Sequence, residues 1–424
     1  MLIHVVKPGD TVYSIALEYG IPMSQLILDN GLETSSRLAV GQALVVQFPT
    51  QTHTVHPGET LASIAAAYQL PLRQLYRNNP ILGGIPEIYP GQTLVLAYDS
   101  TPEATLSVNG YAYPFIDPAL LQSTVPYLTY LTPFTYGFTP DGTLVELDDE
   151  ALLAAARQAA PLMHLSTLTE EGGFSNELAH LALTQPAVQD TLVDNLEAML
   201  VQKGYRGLDV DFEYVYAEDA GAYAAFLGRL TERLNPLGYP VIAALAPKIA
   251  ADQPGTLYEG HDFAAIGAAV NQVLLMTYEW GYTYGPPMAV APLPNVRQVV
   301  EYALTEIPAS KIWLGVPLYG YDWPLPFVQG RTKAQSISPQ EAVARAVRYG
   351  VDIQYSEQAQ APWYRYTDGY GITHEVWFED ARSIQAKLAL IPEYGLYGVG
   401  YWNLMRPFPQ NWRVLNALYR IRTV

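Results

Sequence analysis

The chain has 424 residues, half of them hydrophobic and only 15% charged, which excludes a disordered polyampholyte and predicts roughly two to four folded units. Its net charge is −18, divided as −3 over residues 1–100 and −15 over the rest, and no basic stripe is present to displace counterions from phosphates, which argues against nucleic-acid binding. With no cysteine there is no disulfide framework, thiolate zinc site or cysteine nucleophile. No run approaches the roughly 18 apolar residues that span a bilayer, and Met1 to Asp10 lacks the charged-then-apolar order of a secretory signal, so neither a membrane partner nor Sec export is expected.

The first 98 residues repeat. Val6-Lys7-Pro8-Gly9-Asp10-Thr11-Val12 with Ser14-Ile15-Ala16 returns 49 residues later as Val55-His56-Pro57-Gly58-Glu59-Thr60-Leu61 with Ser63-Ile64-Ala65. Each copy closes on a Gly-Gln block followed by a strand pattern, Gly41-Gln42 and Gly91-Gln92. The order predicts two βααβ units over 1–49 and 50–98, each helix pair opening at Asp-Thr or Glu-Thr. These blocks resemble lysin-motif (LysM) modules, which bind glycans containing N-acetylglucosamine. The resemblance implies sugar contacts at the turn after the first strand and the loop after the second helix. On this chain those are Gly9, Asp10, Thr11 and Asn30, then Gly58, Glu59, Thr60 and Asn79. Read from the residues alone, the glycines serve a tight turn and the threonines cap helices.

Asp99 to Thr105 reads as a linker. From 106 to 424 strand-like and helical patterns alternate, with candidate strands at 110–115, 128–135, 162–167, 207–212, 241–246, 272–277, 312–316 and 398–402. Eight strands with interleaved helices predict an α/β fold, a (β/α)8 TIM barrel. The long last gap, 321–394, holds alternating patterns at Ile353-Gln354-Tyr355 and His374 to Phe378, and predicts a small α+β insertion.

The strongest chemical signal is Gly207-Leu208-Asp209-Val210-Asp211-Phe212-Glu213-Tyr214. Strand alternation sends Asp209, Asp211 and Glu213 to one face and Leu208, Val210 and Phe212 to the other. Three crowded acids do not all ionise cheaply, so at least one holds a proton near neutrality, as a general acid must. Calcium or magnesium sites draw oxygens from flexible turns rather than from an apolar strand, so no metal and no cofactor is expected.

The run resembles the Asp-x-Asp-x-Glu signature of glycoside hydrolase family 18, borne on the fourth strand of a barrel. Met276-Thr277-Tyr278, Gly315 to Gly320 and Gly398 to Trp402 are similar to its sixth-, seventh- and eighth-strand blocks. Arg206 and Glu279 depart from the family, standing where an acid and an aspartate are usual. The resemblance implies a retaining, substrate-assisted mechanism, with the substrate's acetamido oxygen as nucleophile. Glu213 is then the acid, Asp211 orients the acetamido N–H, Asp209 supports Asp211, and Tyr278 bonds the acetamido carbonyl. Trp402 forms the sugar's floor, and Met276, Glu279 and Tyr319 join it among the substrate-binding residues. The blocks around Glu279-Trp280-Gly281-Tyr282, with the repeated modules, are similar to the spore-cortex branch of the family. That branch implies a monomeric N-acetylglucosaminidase acting on peptidoglycan or cortex glycan and localised to the coat or cortex of a spore, or to the cell wall. A chitinase and a non-catalytic glycan-binding spore-coat protein are the alternatives.

Overall fold

The computed structural model describes residues 1–33, 37–155, 158–169 and 173–424. Each repeat is a βααβ unit. The first runs Leu2–Val5, Val12–Tyr19, Met23–Asn30 and Ala43–Val46; the second runs Pro49–Thr54, Leu61–Ala67, Leu72–Asn78 and Thr93–Tyr98. In both, the outer strands pair antiparallel. Thr11 and Thr60 start the first helices through reciprocal capping with Ser14 and Ser63, which satisfies amides that a helix start leaves free.

Eight parallel strands close a barrel: β1 (Ala104–Ala112), β2 (Tyr130–Pro133), β3 (Ala160–Pro161 continued by Met163–Ser166), β4 (Leu208–Asp211), β5 (Val241–Leu245), β6 (Gln272–Leu275), β7 (Ile312–Pro317) and β8 (Gly398–Trp402). The first part of β3 pairs with β2 and the second with β4, which completes the ring. The sequence expectation for the first strand, 110–115, is displaced. Its pairing begins at Ala104, inside the expected linker, because the C-terminal strand Tyr419–Ile421 lies parallel to Ala104–Leu106. Inside the barrel Tyr111, Leu162, Ile242, Leu274 and Trp313 pack together, while Leu208, Val210 and Phe212 face the helices.

Between β7 and β8 a five-stranded antiparallel sheet forms from Gly320–Pro324, Gln335–Ile337, Gln354–Ser356, Ala361–Thr367 and Thr373–Trp377, backed by the helix Pro339–Tyr349. The helix Ala381–Tyr394, which falls within the expected 321–394 insertion, instead packs on the barrel beside β7 and β8.

Both small modules dock on this body. Ala43 and Val45 of the first join the barrel's hydrophobic core, and Ala39 joins the core of the inserted sheet. Gln410 donates to Asn30 Oδ1 at 2.9 Å and to the Ala43 carbonyl at 2.7 Å. The second module is held through Arg77, which donates to the Pro126 carbonyl at 3.1 Å, and through the Asn78–Asn416 amide pair. Between the modules Arg413, buried on the last helix, donates to the Arg77 carbonyl and lies 3.8 Å from the buried Asp29 carboxylate. Among the described residues no helix is long and apolar enough to cross a membrane.

Candidate active site

The carboxylate run owes its placement to local chain geometry. The helix Pro186–Lys203 stops at Gly204, whose φ of +74° is the left-handed conformation that glycine adopts without a Cβ clash. Four residues later the chain enters β4, in parallel register with β3 so that Asp209 lies opposite His164 and Asp211 opposite Ser166. Asp209 and Asp211 therefore point into the barrel. The strand ends at Asp211, and Glu213 stands two residues beyond it, at the mouth. His261 fixes this exit. Its Nδ1 accepts from the Ala246 amide at 3.0 Å, so Nε2 carries the proton and donates to the Phe212 carbonyl, also at 3.0 Å. Tyr214 and Glu279 both take positive φ, +55° and +67°, a backbone state that clusters at functional sites.

Burial dominates the electrostatics. Asp209 is fully enclosed, and burial pushes its carboxyl up to about 7 against the Tyr111 hydroxyl, which donates to Oδ2 at 2.7 Å. Asp211 is raised well above the usual carboxylate range by burial, then by the charges of Glu213 and Asp209. Burial, and next the charge of Glu279, push Glu213 up to about 7. Near neutrality the cluster is thus biased towards holding protons, and Glu213, raised to about 7, takes part in this at the edge of open space. His164 lies 3.7 Å from Asp211, yet burial lowers the imidazole to about 3, so it is a neutral neighbour rather than a counter-ion.

A cavity of about 490 Å3 opens on Glu213 and Asp211, with Met276, Tyr278, Glu279 and Trp402 in its wall. Tyr278 reaches it because Gly315 has no side chain: a Cβ there would sit 2.9 Å from the Tyr278 ring and 2.3 Å from the Leu275 carbonyl. Trp402, last residue of β8, packs edge-on against Phe134 with ring centroids 4.8 Å apart. Tyr319 stands behind Glu279, donating to Oε1, while the Tyr321 hydroxyl lies 3.1 and 3.2 Å from the two carboxylate oxygens. Glu279 is raised by burial against those two donors. All eight residues expected at the catalytic site are therefore gathered at the barrel mouth and interior, with Tyr319 reaching the site through Glu279 and an adjoining cavity. Reading the sequence missed Tyr111, Phe134, His164 and Tyr321. Tyr111 lies inside the run 110–115 already read as a strand, and alternation from it would have exposed an inward phenol.

The expected sugar contacts of the small modules divide. Gly9, Thr11, Gly58 and Thr60 are exposed, the glycines at φ +91° and +86° with open space beside them. Asp10 and Glu59 accept from the amides of Lys7 and His56, both at 2.7 Å, and so shape the turn. Asn30 and Asn79 require correction. Both are buried, and each uses its amide on main chain: Asn30 donates to Leu26 and Val45 and accepts from the Val45 amide, and Asn79 does the same with Leu75 and Val95. They brace the second helix against the last strand, with their side-chain amides engaged on main chain.

Residues 111–406 match the family described as Glycosyl hydrolases family 18, and residues 4–47 and 53–97 match the LysM domain. The chain is 42% identical over 428 residues to the cortical fragment-lytic enzyme of Bacillus subtilis (strain 168), covering 99% of each. It is similar to the crystal structure of the Bacillus cereus spore cortex-lytic enzyme SleL, with TM-score 0.84, 38% identity and coverage of 99% of this chain and 98% of that one. The Bacillus megaterium QM B1551 spore cortex-lytic enzyme SleL gives the same TM-score and identity, over 100% and 99%. With the acid run at the mouth of its barrel and two docked LysM modules, the chain belongs to glycosyl hydrolase family 18.

Proposed function

We propose that this glycosidase is an N-acetylglucosaminidase that cleaves spore-cortex or cell-wall peptidoglycan fragments after N-acetylglucosamine, and that it is stationed on the spore. The observation that carries the reading is Glu213, its carboxyl raised to about 7, facing a cavity between Tyr278 and Trp402, in a chain that matches cortical fragment-lytic enzymes along nearly its whole length. Gly9, Asp10 and Thr11, with Gly58, Glu59 and Thr60, are the proposed points of glycan attachment on the modules.

In the proposed reaction the sugar rests on Trp402. Glu213 gives its proton to the glycosidic oxygen as the bond breaks, and the substrate's own acetamido oxygen attacks the anomeric carbon. Asp211 accepts from the acetamido N–H and so orients the acetamido group, while the Tyr278 hydroxyl donates to the acetamido oxygen. Water then attacks the anomeric carbon, the oxazolinium ring opens to restore the acetamido group, Glu213 takes up the proton that this water releases, and the configuration is retained. Glu279 brings a second carboxylate to the wall, but two phenols hold it, so it stands as a polar wall rather than a nucleophile.

Mass and anomeric NMR analysis of products from purified cortex fragments, cell-wall glycan and chitin tests the reading. Release of reducing N-acetylglucosamine ends in the β configuration from cortex fragments is expected. Cleavage confined to chitin would make the protein a chitinase, and inverted product would exclude substrate assistance.

A further inference from the structure

The catalytic cavity does not stand alone. At Tyr113, Glu279 and Trp402 it shares its wall with a cavity of about 370 Å3, and at Leu168 it meets another of about 490 Å3. Together they form a groove across the barrel mouth, and its charge is one-sided. Asp211, Glu213, Glu279 and Glu177 line it, whereas Arg406 is the one Lys or Arg among the described residues of its wall.

Arg406 is four residues past β8, where the barrel meets the inserted sheet. Its guanidinium donates to the Ser336 hydroxyl at 2.8 Å and to the Ser336 carbonyl at 3.2 Å, both neutral acceptors. No carboxylate among the described residues is in ion-pair contact with it, and Glu341, the acid acting on it from farther off, is already paired with Arg345. Ser336 thus holds in place a half-buried cation whose charge is left uncompensated. Sharing the same cavity, Tyr113 and Phe115 stack with centroids 5.2 Å apart, and Phe115 is 77% exposed. An aromatic pair suits the flat apolar face of a sugar ring, and a positioned guanidinium suits a carboxylate through two parallel donors.

We propose that Arg406 is a specificity-determining residue that binds the carboxylate of an acidic hexosamine, a muramic-type sugar with a free lactyl group, seated beside the residue that rests on Trp402. The inference rests on the glycosidase reading above and deepens it by naming the neighbouring sugar. The other charged residues among the described residues of the groove are acids, none of which attracts such a substituent; Arg406 supplies the attraction at one position and so fixes the direction in which the glycan lies.

Calorimetric titration of full-length Glu213→Gln protein, which holds ligand without turning it over, supplies the test. The ligands are a tetrasaccharide of alternating N-acetylglucosamine and muramic acid with free lactyl carboxylates, its methyl ester, and chitotetraose as a neutral reference. The acid is expected to bind about tenfold tighter than the ester, a margin of about 1.4 kcal/mol that shrinks as salt is added. Adding Arg406→Gln should bring the acid-to-ester ratio close to one, and Arg406→Lys should restore part of it. Equal binding of acid and ester, or a preference that survives Arg406→Gln, overturns the proposal. The acid-to-ester comparison in the single variant decides even if the double variant does not fold. Failure of all three ligands to bind would overturn the glycosidase reading itself, and this inference with it.

Discussion

Tyr111 reaches across the barrel interior from β1 to donate its hydroxyl to Asp209 Oδ2 on β4, at 2.7 Å. The bond joins the start of the barrel to its chemistry, for Asp209 is buried behind Asp211 and its other oxygen, Oδ1, has no partner among the described residues. Because Tyr111 favours the charged form of Asp209, Tyr111→Phe should raise the Asp209 pKa beyond about 7. Losing a hydrogen bond to a charged group costs about 1.5–3 kcal/mol, so kcat should fall by roughly one to two orders of magnitude if that cost is met in the transition state, and the pH profile should shift upward. A kcat within about twofold of the parent, with an unmoved profile, would show the bond to be merely structural.

Glu213→Gln should lower hydrolysis by about two to four orders of magnitude, the usual contribution of a positioned general acid. Circular dichroism and glycan binding should stay close to the parent. Parental turnover of cortical fragments by this variant would remove Glu213 from the mechanism.

The pH dependence follows from the raised carboxyl. As the proposed general acid Glu213 must be protonated, so kcat/KM should decline as pH rises through about 7. The same shift sets a stability trend. The folded protein keeps a proton that the unfolded chain releases above its ordinary value of 4.5, so the stability present at low pH is lost as pH rises through about 7. Glu213→Gln should therefore melt higher than the parent at pH 8 and lose that advantage towards pH 5. Differential scanning calorimetry at both values checks the sign.

Substrate assistance makes a chemical prediction. Glycans de-N-acetylated at the sugar over Trp402 should not be turned over, and a thiazoline that mimics the cyclic intermediate should inhibit. Chelator should leave the rate unchanged. Equal turnover of acetylated and de-acetylated glycan would point to an enzymic nucleophile, with Glu279 the first to examine.

Arg413→Ala should be strongly destabilising, by about 3 kcal/mol, because it leaves the buried Asp29 without its counter-charge. Burial already raises Asp29 to about 6, with Arg413 opposing, so the variant should suffer more at pH 8 than at pH 5, where Asp29 is protonated. A loss independent of pH would mean that packing, and not charge, holds the modules.

The acid triplet was legible because strand alternation is a local rule, and an apolar partner face marked the strand as buried. The barrel was legible from the alternation of strand and helix patterns. Asn30 and Asn79 were misread because their surroundings are set by a later strand of the same module and, for Asn30, by Gln410, 380 residues away. The first strand was displaced for a similar reason, its opening residues being paired by Tyr419–Ile421 at the far end of the chain. The phenols of Tyr319 and Tyr321 fall on one carboxylate only after β7 and the inserted sheet have folded together. Pattern along the chain finds what repeats locally; it does not find what two distant segments make in common.

The docking of both LysM modules changes what anchoring means for this enzyme. On a flexible tether, they would only raise the local concentration of glycan, and linker length would decide how far the barrel could graze. Held by Gln410, Arg413 and the shared cores, they instead keep their proposed glycan contacts at a set distance and angle from the proposed acid, Glu213. The molecule then works like a gauge, set to one offset in the glycan mesh, and it must let go and land again to reach the next.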